Sequence, residues 1–98
     1  MIVNRRTFVV KKGQMDRAVE MLREAGQKVP HSKPRRLFVP SFAAFDALVL
    51  DVEHADMAEY DEYWNAILAT PWFEAWLADW NQITETGGAN ELWTVEEI

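Results

Sequence analysis

The stretch Thr7–Leu22, TFVVKKGQMDRAVEML, changes its period half-way through. Its first residues extend a β-branched run that begins at Ile2 and stops at Lys11-Lys12-Gly13, so Ile2–Val10 is expected to be a strand closed by a turn. Beyond Gly13, residues Met15, Ala18, Val19, Leu22 and Ala25 recur at helical spacing with charged residues between them. That pattern predicts an amphipathic helix with one buried side, ending at Gly26. A strand that turns straight into a one-sided helix opens a layered α+β domain, because the apolar helix face must lie on a sheet.

The chain continues in the same grammar. A polar loop holding Pro30 and Pro34 leads into a second strand, Arg35–Phe42, in which Pro40 cannot donate to a ladder and so marks an edge or a bulge. Phe45–Glu53 reads as a third strand, joined to the second in a hairpin at Ala43-Ala44. From Asp56 the period is helical again, with Met57, Tyr60, Trp64, Ile67 and Leu68 on one face. Asp56 is the expected N-cap and Glu59 its capping-box partner. Ala69-Thr70-Pro71 then breaks the helix. Thr70 is expected to cap a new helical piece with Pro71 at its first position, where the missing N–H is harmless. This piece runs to about Thr84, Gly87-Gly88 ends it, and Glu91–Glu97 forms the last strand.

The order β-α-β-β-α-β predicts a single ferredoxin-like α+β sandwich over residues 1–98, with an antiparallel sheet whose second and fourth strands are edges and a second helix broken near Thr70-Pro71. In the third strand Phe45, Ala47 and Val49 alternate with Leu48, Leu50 and Val52, so both faces are apolar. Helices can cover only one of them. An identical sheet from a second subunit is the simplest cover for the other, which predicts a homodimer.

Composition sets outer bounds. Hydrophobic residues make up 49% of the 98 and charged residues 27%, a balance that supports a packed core. The net charge of -6 argues against a nucleic-acid groove, which needs clustered cations. The one basic cluster, Lys33, Arg35 and Arg36, reads as a solvated strand entrance. With no cysteine, there is neither a disulfide framework nor a thiolate site. No membrane-spanning or signal-like apolar run is visible, and a cytoplasmic location is expected.

A β-α-β-β-α-β unit of this size, opened by TFVVKKGQMDRAVEML and carrying LATPWFEAWLADW before its last strand, resembles the dimeric α/β-barrel superfamily. The Lys-Gly turn and the Thr-Pro-aromatic segment look like those of NIPSNAP-type and antibiotic-biosynthesis-monooxygenase-type domains. The resemblance implies a set of possible roles rather than one: cofactor-independent monooxygenases, isomerases, haem-degrading enzymes and ligand sensors all use the fold. In the haem-degrading members an Asn on the first strand, a Trp before the last helical piece and a His within that piece make the working site. Asn4 and Trp64 stand near the first two positions, whereas Trp76 and Leu77 stand where the His is expected. Neither binds iron, which argues against haem breakdown.

Between Trp64 and Trp80 lie four of the five tryptophans, with Trp72, Trp76 and Trp80 repeating every fourth residue along one helix face. Together with Tyr60, Tyr63 and Phe73 they offer more ring area than two short helices need for packing, since each ring buries roughly 150–250 Å². The ladder of three is expected to be a structural seam and Trp64 to face a ligand. Asn4 and Arg6 are polar residues on the strand face that also carries Ile2, Phe8 and Val10, placed to hold a ligand oxygen or to satisfy local backbone. The candidate ligand-contacting set is Asn4, Arg6, Tyr60, Tyr63, Trp64 and Trp76. No catalytic residue, cofactor or metal is assigned. His31 is expected to be solvated, His54 lacks the i, i+3 or i+4 partner that makes a metal site convincing, and Glu59, Asp61 and Glu62 read as a wet helix face. Three functions fit these residues: a homodimer binding a small aromatic or apolar molecule, a cofactor-independent monooxygenase or isomerase, and an interaction module without a ligand.

Overall fold

A computed structural model describes all 98 residues. Seven elements follow one another: β1 (Ile2–Val10), α1 (Met15–Lys28), β2 (Arg35–Phe38), β3 (Ala47–His54), α2 (Met57–Leu68), α3 (Phe73–Ile83) and β4 (Thr84–Thr94). All strand pairs are antiparallel and the sheet order is β2-β3-β1-β4. This is the ferredoxin-like α+β arrangement, with β2 and β4 at the edges. No helix is long and apolar enough to cross a membrane.

The core lies between the sheet and the helices. Val10, Ala18, Met21, Leu48 and Trp80 form its centre, and Phe8, Leu22, Trp76 and Ile83 pack around them. Asn4, Arg6 and Phe8 of β1 point to this side, together with Leu48, Leu50 and Val52 of β3. On the opposite side Arg5 grips Asp51 through two parallel bonds of 2.8 Å, Nε to Oδ1 and Nη2 to Oδ2. That bidentate bond, and then the carboxylate charge, hold the Arg5 guanidinium above its ordinary value.

Several boundaries differ from the sequence expectation, each for a local reason. Helix α1 continues past Gly26 to Lys28 because Arg35 reaches across from β2 and binds its last turn, donating from Nη2 to the Gly26 carbonyl at 2.9 Å and from Nη1 to the Val29 carbonyl at 2.8 Å. Arg35 is therefore a clamp rather than a solvated charge. Strand β2 stops at Phe38, so Pro40 lies beyond it, and residues 39–46 form a longer connection that leaves Phe42 and Phe45 fully exposed. Thr70 does not cap α3. Its hydroxyl donates back to the Ile67 carbonyl at 2.6 Å and closes α2, while Trp72 takes the N-cap position of α3. Strand β4 starts at Thr84, directly after α3, and Gly87 and Gly88 lie inside it at a register shift opposite Thr7–Val9. A bulge, not a helix stop, explains that Gly-Gly pair. The capping box is present in altered form: Glu59 N–H donates to Asp56 Oδ1 at 2.9 Å, and Glu59 Oε2 accepts from Ala55 N–H at 3.2 Å.

Candidate functional site

A cavity of about 420 Å³ opens between the helix-facing side of the sheet and the three helices. Ridges of β1, β2 and β3 make its floor, α1 one wall, and the broken pair α2 and α3 the other. The break divides the wall: α2 brings Tyr63, Trp64 and Ile67 to the cavity, and α3 brings Phe73, Trp76, Leu77 and Trp80. After the turn at residues 69–72, Phe73, Trp76 and Trp80 stack on one another, with centroid spacings of 6.0 and 5.2 Å and planes within 16° and 13°. Trp72 is not in that stack. It meets Phe73 edge-on and takes the Lys28 ammonium 5.1 Å above its ring. The seam is thus Phe73-Trp76-Trp80, and Trp76 fixes it to α1 by donating its indole N–H to the Met21 carbonyl at 3.1 Å.

Polar groups enter this apolar space at one end. Asn4, 2% exposed, donates from Nδ2 to Asn90 Oδ1 at 2.7 Å and to the Glu91 carbonyl at 2.9 Å, and its Oδ1 accepts from Arg6 Nε at 3.3 Å. Asn4 thereby ties β1 to edge strand β4 and aims Arg6. The Arg6 guanidinium lies 4.0 Å above the Trp64 ring, a contact worth about 0.5–2 kcal/mol. The buried indole N–H of Trp64 has no acceptor in the protein. Arg6, Arg23 and Arg35 line the cavity, whereas no aspartate, glutamate or lysine does; Arg36, opposite Asp51, is on the other face of β2. In a chain of net charge -6, that segregation makes the cavity positive.

Of the expected set, Asn4, Arg6, Tyr63, Trp64 and Trp76 share the cavity wall. Tyr60 stands apart, edge-on to His54 at 5.5 Å. It belongs to a second cluster, which sequence spacing does not reveal because its members come from a loop, a strand and a helix. His31, His54 and Glu59 bring one donor atom each within 4.8 Å of the others. His31 is not solvated: its Nε2 lies 2.6 Å from the Glu53 carbonyl and its ring 4.8 Å from Tyr63. Glu59 is no idle surface charge either, since Lys33 donates to both its oxygens at 2.9 and 2.8 Å. That hydrogen bond is the main reason its carboxyl sits below the ordinary range. His54 is wholly buried and neither ring nitrogen has a partner. Burial, and then the neighbouring His31, push its pKa down and keep it neutral.

No family model matches the chain, and no curated protein matches it in sequence. Solved structures do match. A NIPSNAP family protein from Agrobacterium tumefaciens superposes with a TM-score of 0.83 at 14% identity, over 98% of this chain and 93% of the other. An uncharacterised NIPSNAP domain protein from Burkholderia xenovorans gives 0.82 at 12% identity, over 98% and 95%. The fold is that of the NIPSNAP domains. An antibiotic biosynthesis monooxygenase shares it too, with a TM-score of 0.73 and 21% identity over 99% of this chain and all of the other. In this NIPSNAP-like frame Asn4, Trp64, Trp76 and Leu77 all face one cavity.

Proposed function

We propose that this protein is a cytoplasmic homodimer that binds a small planar aromatic molecule bearing an acceptor oxygen or a negative charge, between the sheet and the broken helix. The observation that carries this reading is the cavity of about 420 Å³, walled by stacked rings and charged only by arginine. Ligand sites run from about 300 to 1,000 Å³ and combine apolar walls with a few convergent polar groups. Here those groups are Arg6 and the unmatched Trp64 N–H. A phenolate, enolate or carboxylate oxygen meets both needs, while the ring of the ligand stacks against indole. A domain whose rings were only core would leave no such space.

The test is an intrinsic-fluorescence titration with phenols, quinones and aromatic acids. Saturable quenching of the indoles by an anionic member is expected, and Arg6→Met should weaken that member by about tenfold while leaving neutral analogues little changed. If no compound quenches, the reading fails.

A second reading has one observation of its own: the likeness to an antibiotic biosynthesis monooxygenase. On that reading the same pocket turns over an electron-rich phenol with oxygen and without a cofactor. Oxygen uptake in the presence of the compounds that quench separates turnover from binding.

A further inference from the structure

Outside the cavity, the far end of the sheet carries a histidine whose buried ring nitrogens the fold leaves without partners, beside two other side chains of metal-ligating type. His54 ends β3 with its ring wholly buried and both nitrogens unpartnered. Buried polar atoms ordinarily find partners, and a ring nitrogen without one is a lone pair held in reserve. His54 is held by aromatic contacts alone, against His31 at 5.0 Å, Tyr63 at 5.2 Å and Tyr60 at 5.5 Å. The facing His31 is oriented differently. Its Nε2, 2.6 Å from the Glu53 carbonyl, must carry the hydrogen in the neutral ring, which leaves the lone pair on Nδ1. A backbone carbonyl that fixes the tautomer in this way is the usual second partner of a metal-binding imidazole. Glu59 completes the group with an ionised carboxylate.

We propose that His31, His54 and Glu59 bind a divalent first-row transition ion, with zinc the best fit to two imidazoles and one carboxylate. Zn–N and Zn–O bonds of about 2.0–2.1 Å require the donor atoms to draw closer than the 4.8 Å that now bounds them. Lys33 must also leave Glu59, because its ammonium holds both oxygens. The lysine is partly exposed, so it can swing into solvent. Three protein ligands leave a fourth position for water. The site lies beside the cavity rather than in it, and Tyr63 is their common wall, touching both imidazoles and lining the cavity. Neither site depends on the other for its argument.

The competition with Lys33 supplies a test that simple surface binding fails. Titration of the full chain with Co²⁺, followed by visible absorption, should give ligand-field bands that saturate at one ion per chain and are displaced by Zn²⁺. Calorimetry with Zn²⁺ should show His31→Gln weakening the site by about tenfold or more, and Lys33→Met tightening it by freeing Glu59. His54→Ala should abolish the bands. Since His54 is buried and its loss can unfold the chain, the two variants at partly exposed positions decide the matter independently. Absence of cobalt bands overturns the proposal, as does binding that is the same in the wild type, His31→Gln and Lys33→Met.

Discussion

Tyr63 is the residue through which the two ends of the helix layer meet. Its hydroxyl lies 3.3 Å from Arg35 Nη1, and its ring touches His31, His54 and Trp64. Through Arg35 it is coupled to the end of α1, and through its ring to a histidine that cannot be charged cheaply. His54 therefore links acid to stability. Its folded-state pKa lies below the ordinary 6.5, so the unfolded chain holds the extra proton first. Stability is full above pH 6.5 and falls as pH drops through that value, until the folded-state pKa is reached. The slope from one proton is at most about 1.4 kcal/mol per pH unit. The groups facing His54 are His31, Glu59, Lys33, Tyr60 and Tyr63; His31 and Lys33 reinforce the shift and Glu59 opposes it. Urea midpoints in a chelating buffer should fall between pH 7.5 and 5.5, and His54→Phe, which keeps a ring among the tyrosines, should flatten that dependence. An equal fall in both proteins would place the acid sensitivity elsewhere.

Among the elements, β4 depends most on a detail of backbone. Gly88 has φ of +85° and sits where an added Cβ would come within 2.0 Å of the Thr7 carbonyl oxygen, which no L side chain can accommodate without moving β1. Gly13 shares the positive φ, +82°, but has open space around it. Comparing the two separates strain from collision: Gly13→Ala should cost about 1–2 kcal/mol and Gly88→Ala about 2 kcal/mol more, read from chemical denaturation. Equal losses would mean that the bulge yields. This same glycine pair marks where sequence reasoning went astray. Period and capping place β1, α1 and the helix break within a residue or two, because alternation, the Asp56 cap and Pro71 are local signals. Gly87-Gly88 is equally local but ambiguous, since a helix stop and a bulge both need positive φ. The cavity was foreseeable only as an excess of rings. Its charge was not, because Arg6, Arg23 and Arg35 come from three elements that only the fold brings together. The histidine pair is hidden for the same reason.

At the scale of the molecule, the question is what covers the sheet side that bears Arg5. Only 11 of 98 residues are buried, a thin core for a domain that must stand alone. Pairing and alternation put Val3, Thr7, Val49, Phe38 and Trp93 on that side around the Arg5–Asp51 pair. Trp93 and Phe38 are 55% and 45% exposed. Fewer apolar residues lie here than expected, because Phe45 falls outside β3 and because Arg36, Glu53 and Glu91 share this side; at its centre the mutual pairing of Arg5 and Asp51 lets those two charges be dried without orphaning either. An ordinary specific interface buries about 800 Å² per partner, roughly an eighth of the 6763 Å² that this chain exposes. One sheet face can supply that. Light scattering on a sizing column should therefore give about twice 11.4 kDa at micromolar concentration. Trp93→Glu, which sets two carboxylates against each other near a symmetric contact, should shift the peak to the monomer while leaving the cavity on the other side of the sheet able to bind. A wild-type monomer, or a Trp93→Glu dimer, would mean that this face remains open to water and that the thin core is stabilised from the cavity side instead, by a bound ligand.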